Sequence, residues 1–210
     1  MKNKRVLGMI GALLAVILVA VVYPMLTNKN DANKTDGTKK AKVGVLQLVS
    51  HPSLDEIYKG IQDGLAEEGY DKDKIEIEFL NAEGDQNKVA TMSKQLVQNN
   101  NDVLIGIATP SAQGLASATK DKPIVMGAIT DPVGANLVKD LKKPGGNITG
   151  VSDHNPTEQQ LKLIKELTPN VKTIGVLYST SEDNSKTQVE EFTKLAETAV
   201  SYTHLTLQTT

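Results

Sequence analysis

Apolar positions along the chain alternate between two styles. Lys42–Val49 (KVGVLQLV) is apolar on both alternations over a strand's length, the pattern of a parallel strand covered on both faces. Helical spacing follows: Leu54, Ile57, Tyr58, Ile61 and Leu65 fall on one face, Ser53-Leu-Asp-Glu56 has the form of a capping box, and Gly69 supplies the stop. The unit then repeats. Ile75–Leu80 reads as a strand, Asp85–Gln98 as a helix with Val89, Met92, Leu96 and Val97 inward, and Asp102–Ala108 as a third strand. Thr109-Pro110 has the form of an N-cap with proline at the first helical position, opening a helix to about Ala118, and Pro123–Ile129 is a fourth strand. Such a βαβαβαβ order predicts an α/β fold with a doubly wound parallel sheet and ligands at the carboxyl ends of its strands.

After Asp131-Pro132 the style changes. Lys142–Gly150 (KKPGGNITG) is polar and glycine-rich, and reads as the approach to a hinge. A second series starts at Asn155-Pro156-Thr157-Glu158, again shaped as N-cap, proline and capping acid, with Leu161, Ile164 and Leu167 as the stripe to be buried. Val171–Tyr178 is its strand, and Asn184–Ala199 its next helix, with Val189, Phe192, Leu195 and Ala196 inward. One strand with two helices does not close a core, so the second lobe is expected to be truncated in this chain. The tail 200–210 drops the Lys/Glu-rich style of the preceding helix and resembles a translated sequencing adapter. It is set apart as a sequencing artefact, with a Thr-rich strand as the alternative.

The N-terminus bears on location. Lys2, Lys4 and Arg5 precede Val6–Tyr23, an unbroken run of apolar residues and glycine that reaches the roughly 18 residues a helical span requires. A positive flank on the cytoplasmic side places the rest of the chain outside. The segment's end lacks a good cleavage site, so an uncleaved membrane anchor is expected rather than a removed signal peptide. Residues 27–41 then form a polar stalk that buries too little to offset its ordering entropy. The predicted organisation is thus anchor 1–26, stalk 27–41, first lobe 42–147, hinge and start of a second lobe 148–199, and tail 200–210.

A net charge of −2 with interspersed signs provides no field that would recruit nucleic acid. The absence of cysteine excludes disulfides, thiolate metal sites and cysteine nucleophiles. No Walker loop, dinucleotide fingerprint, HExxH or GxSxG motif is present. His51, Ser53 and Asp55 make a poor triad, because neighbours on one helix start point in different directions. His51 and His154 match no metal-ligand spacing. No enzyme activity, metal or cofactor is predicted.

What remains is a set of polar loops at the expected strand ends: Gln47–Ser53 with His51, Thr109-Pro110-Ser111, Thr130-Asp131-Pro132, Ser152-Asp153 and Ser179–Ser185. Thr109 and Ser111 sit where a helix start offers N–H groups to an anion, with simple capping as the alternative. Asp131 either faces a ligand cation or forms an Asp-Pro turn. Ser152 and Asp153 either face the ligand or belong to an ordinary surface loop.

The segments VGVLQLVSHPSLD, NAEGDQNKVATMSKQLV, IATPSAQGLASATKDKPIV, AITDPVGANLV, KPGGNITGVSDHNP and TPNVKTIGVLYSTSEDNS, in this order over Lys42–Ala199, resemble the ABC transporter substrate-binding proteins that include the tryptophan/tyrosine-binding components. The resemblance implies a type I periplasmic-binding-protein fold, a two-lobed Venus-flytrap closing on a small molecule. It further implies delivery to an ABC permease with its ATPase. The chain departs from the family in lacking a lipidation cysteine and in its short second lobe. For an aromatic amino acid, tryptophan ahead of tyrosine, Thr109 and Ser111 would meet the carboxylate and Asp131 the ammonium, with the apolar wall supplied either by Pro110 and Leu48 or by the missing half of the second lobe. The alternative is a membrane-anchored sensor domain with no transport role.

Overall fold

A computed structural model describes residues 40–199 and 204–209; the expected anchor Val6–Tyr23 and nearly all of the stalk lie outside them. Among the described residues no helix is long and apolar enough to cross a membrane. The first layer runs β1 (Ala41–Gln47), α1 (Pro52–Glu67), β2 (Ile75–Asn81), α2 (Gln86–Gln98), β3 (Val103–Ile107), α3 (Thr109–Ala118), β4 (Ile124–Ile129) and β5 (Ile148–Ser152). These five strands form one parallel sheet in the order β2-β1-β3-β4-β5. The order reverses between β1 and β3, which places the switch point of a doubly wound sheet there.

Both faces of the sheet are covered, as the continuous apolar strands require. Val43, Val45, Ile105 and Ile107 pack under Leu54, Ile57, Tyr58 and Ile61 of α1. Leu46, Leu48, Leu104, Ile124 and Met126 meet Val89 and Leu96 of α2 and Ala112 and Leu115 of α3. Each fully buried Leu or Ile contributes about 1.5–3 kcal/mol. Gly106 permits the close approach of α3, since a Cβ on it would lie 2.7 Å from the backbone N and Cα of Ala112. That contact seats the first turn of α3 against the end of β3.

Helix starts depart from the expected caps. His51, not Ser53, caps α1: its Nδ1 accepts from Ser53 N, and Pro52 takes the first helical position, where its missing N–H costs nothing. The cap of α3 is Ala108 rather than Thr109, so Thr109 and Pro110 lie inside the first turn. The cap of α4 (Thr157–Leu167) is Pro156 rather than Asn155. Asp85, read from the sequence as the first helical residue, instead caps α2, its Oδ1 accepting from Asn87 N at 2.7 Å. Strand β5 was not legible in the glycine-rich passage ahead of it, and it extends the first sheet beyond residue 147. Gly150 within it has φ +152 and approaches β4 so closely that a Cβ would lie 2.3 Å from Met126 O.

The later part comprises α4, β6 (Thr173–Tyr178), α5 (Asp183–Ala199) and β7 (His204–Thr209), whose backbone pairs parallel with β6. Leu161 is buried as expected from the α4 stripe, but Leu167 is 75% exposed. On β6 exposure alternates, leaving Leu177 69% exposed, because the described residues supply no layer over that face. The contrast with fully covered β1 fits a second lobe represented only in part.

Candidate ligand-binding site

Four of the five predicted loops lie at one edge of the first sheet, whereas Ser179–Ser185 follows β6 in the second sheet. Gln47, the last residue of β1, stands opposite Ile107; Ile107 stands opposite Gly127; and Ile129 stands opposite Ser152. All four strands therefore deliver their following loops to the same carboxyl edge, where such sheets hold ligands.

At the end of β3 the backbone is strained. Ala108 has φ 73 and ψ 156, a region nearly reserved for glycine, and costs on the order of 1–3 kcal/mol. This turn aims the start of α3 at the sheet edge. Thr109, Pro110 and Ser111 are all buried there. The first N–H groups of a helix have no intrahelical partner, and Pro110 has none to offer, so Thr109 and Ser111 carry the orphan donors while Ala112 N already bonds to Ala108 O at 3.2 Å. Ser111 is fully buried, and its Oγ finds no hydrogen-bond partner among the described residues. A second positive φ occurs at Ala128 (φ 58), where the register between β4 and β5 shifts. Ala108 N donates to Gly127 O at 3.2 Å, tying the two strained segments together.

Thr130 is 8% exposed; its carbonyl accepts from Ser152 Oγ and its Oγ1 from Gln188 Nε2, each at 3.3 Å. Asp131 is half-buried and its Oδ1 accepts from Gly134 N at 2.9 Å, so this carboxylate does close an Asp-Pro turn. Its Oδ2 is not used in that bond. Gln47 is buried beside the switch point with its Oε1 unpartnered among the described residues. His51, Ser152 and Asp153 are exposed. His51 is occupied in capping α1, and Asp153 is held through its backbone N to Ile129 O at 3.2 Å.

Two residues of α5 reach this region: Asp183, which falls within the predicted loop Ser179–Ser185, and Gln188, which the sequence reading did not single out. Gln188 contacts Thr130, and Asp183 Oδ2 accepts from Gln113 Nε2 of α3 at 2.9 Å. The Gln113 amide, and then Lys186, hold the Asp183 carboxyl below its ordinary range. Polar residues on a solvated helix face look alike in sequence, so only the packing distinguishes Gln188. A groove of about 240 Å³ lies between α2 and α3, lined among others by Val89, Lys94, Gln113 and Ser117, and it takes in Pro110 of the predicted site turn. Gln47, Ser111 and Thr130 do not line it. Among the described residues no group of three His, Cys, Asp or Glu could hold a metal ion.

A parallel sheet whose carboxyl edge carries buried, unpaired polar atoms and a helix start is suited to hold a small polar ligand. Comparison with known proteins agrees. A tyrosine-binding protein of Clostridioides difficile (strain R20291) is 45% identical over 195 residues, covering 90% of this chain and 56% of its own length. The crystal structure of an ABC domain from Streptococcus pneumonia in complex with L-Trp is 73% identical with a TM-score of 0.78, covering 81% of this chain and 58% of that one. A ligand-free, open substrate-binding protein with adhesive properties from Clostridium difficile is 40% identical with a TM-score of 0.64, at 81% and 58% coverage. The chain thus spans less than three-fifths of the length of these relatives. Residues 42–209 match the family described as ABC transporter substrate binding protein, and the chain belongs to that family of α/β, periplasmic-binding-protein-like receptors.

Proposed function

We propose that this chain is the ligand-gripping first lobe, with the start of the second, of an extracytoplasmic receptor for an ABC importer. The receptor binds an aromatic amino acid, tryptophan ahead of tyrosine, and passes it unchanged to a permease with its ATPase. The observation that carries this reading is Ser111 Oγ, buried and unpartnered in the first turn of α3 behind the strained Ala108. A hydroxyl in that state costs about 1–3 kcal/mol unless something fills its vacancy, and a carboxylate at a helix start would accept from it and from the adjacent N–H groups. Asp131 Oδ2 serves the ammonium while Oδ1 keeps its turn. The relatives' tryptophan and tyrosine support the ligand class.

The segment Val6–Tyr23, outside the described residues, is proposed as the tether that keeps the receptor at the membrane. Fractionation with intact mass tests the tether: a soluble product starting in the stalk argues for a removed signal instead. Calorimetry on the receptor with a complete second lobe tests the function. Heat with L-tryptophan and a weaker response with L-tyrosine are expected, and heat only with a sugar or a peptide would overturn the ligand assignment.

A further inference from the structure

Asp55, in the first turn of α1, has no part in the reading above, yet it touches the one buried amide at the switch point. Gln47 Nε2 donates to Val49 O at 3.0 Å and to Asp55 Oδ1 at 2.7 Å. A carbonyl and a carboxylate only accept, so the NH₂ edge of the amide must face them. Turning the amide over would set Oε1 against two oxygens, and chemistry therefore fixes its orientation. The consequence is that Oε1 is held on the other side, buried and without a partner among the described residues, in a side chain that is 0% exposed. Only a group that donates can complete it; a carboxylate cannot.

Gln47 stands opposite Ile107, the residue before Ala108 and the start of α3. The unpartnered acceptor closes β1, and the unpartnered Ser111 hydroxyl stands in the first turn of α3, the helix that follows the neighbouring strand β3, so the two belong to the strand–helix units that flank the reversal of strand order. An amino acid head group has both parts, an anion for the helix start and a cation that donates.

We propose that Asp55 is a positioning residue that locks the Gln47 amide so that Oε1 accepts from the ligand's α-ammonium. The proposal rests on the amino acid reading given above. It assigns the selection of an amine to a pair of residues on β1 and α1, with Asp131 as the charged partner.

The test is calorimetry on the receptor with a complete second lobe, using L-tryptophan and indole-3-propionate, which lacks the amine. Asp55→Ala is expected to weaken L-tryptophan roughly tenfold, the weight of one hydrogen bond involving a charged group, and to leave indole-3-propionate unchanged. Asp55→Asn keeps an oxygen that can accept from Gln47 Nε2 and is expected to recover most of the loss. Gln47→Leu is expected to reduce the preference for the amine as Asp55→Ala does. Asp55→Ala gives up one acceptor of the buried Gln47 amide and is expected to melt slightly lower than the parent while remaining folded, and Asp55→Asn is expected to melt closer to the parent. An equal loss for both ligands, no loss at all, or Asp55→Asn as weak as Asp55→Ala would overturn the proposal while tryptophan binding by the parent stood. If the parent bound neither tryptophan nor tyrosine, the ligand reading would fall and this inference with it.

Discussion

Gln113 of α3 donates through Nε2 both to Asp183 Oδ2 on α5, at 2.9 Å, and to Ala135 O, at 3.2 Å. One amide thereby bridges the helix behind the candidate site, the turn after β4 and a helix from the later part of the chain. With Gln188 on Thr130, the contact brings α5 onto the first lobe through polar groups rather than a buried apolar seam. Hydrogen bonds of this kind are individually weak, each adding about 0.5–1.5 kcal/mol net.

The Asp183 contact carries a pH dependence. Its carboxyl titrates below the ordinary value of 3.8, chiefly because Gln113 donates to the ionised form and secondarily because of Lys186. A folded-state value lower than the unfolded one stabilises above the unfolded value, and the gain is lost as pH falls through the folded one. The side chain is 49% exposed, so solvent screening keeps the gain below about 1 kcal/mol. Thermal melts of the parent and Asp183→Asn should differ slightly at neutral pH and converge as pH falls below 3.8 and through the lowered folded-state value. A gap that widened on acidification would contradict the assignment.

Gly106→Ala should destabilise the first lobe. The added methyl would sit 2.7 Å from Ala112 backbone atoms, which cannot swing aside as a side-chain tip can. Overpacking of this kind costs about 1–3 kcal/mol. A lower urea midpoint with an unchanged m-value is the expected result, and an unchanged midpoint would show that α3 is not held against β3 in this way.

Much of this architecture was legible because parallel strands buried on both faces announce themselves. KVGVLQLV and DVLIGIA could pack only between two helical layers, and the stripes of α1 and α2 supplied those layers. Strand β5 was not legible: Asn147, Thr149 and Gly150 give it the composition of a loop, and only pairing with β4 makes it a strand. The caps failed locally. Thr109-Pro110 looked like a cap and first turn, whereas the chain places the bend one residue earlier, at an alanine no propensity would select. The site loops followed from topology, but which of their side chains are buried did not. Ser111 and Asp153 look equally polar in sequence, and only the fold buries the first and exposes the second.

Ala108→Gly should raise stability. Glycine adopts φ 73, ψ 156 freely, relieving about 1–3 kcal/mol of strain against about 0.4–1 kcal/mol of added unfolded-state entropy. A net gain of about 1 kcal/mol in urea unfolding is expected. A loss would show that this backbone is not strained as described.

Ser111→Ala and Asp131→Asn should separate stability from binding. The Ser111 hydroxyl has no protein partner to lose, so its removal should leave folding intact while weakening L-tryptophan by about 1 kcal/mol in the complete receptor. Asn at 131 can still accept from Gly134 N and keep the turn, so a loss of about 2–5 kcal/mol there would isolate the charge that meets the ammonium. Parent-like binding in both variants, with loss on changing Asp153, would move the head group to the wrong loops for this account.

The central claim is that the ligand sits at the carboxyl edge of the first sheet, at the start of α3. Titrating L-tryptophan into the ¹⁵N-labelled receptor with a complete second lobe and following backbone amide shifts tests it most directly. The account predicts the largest shifts at Thr109 and Ser111, with Gln47 and Thr130 next, and little change at Ala90, Lys94 and Ser117. Shifts centred on those last residues, in the groove between α2 and α3, with Thr109 and Ser111 unmoved, would contradict it.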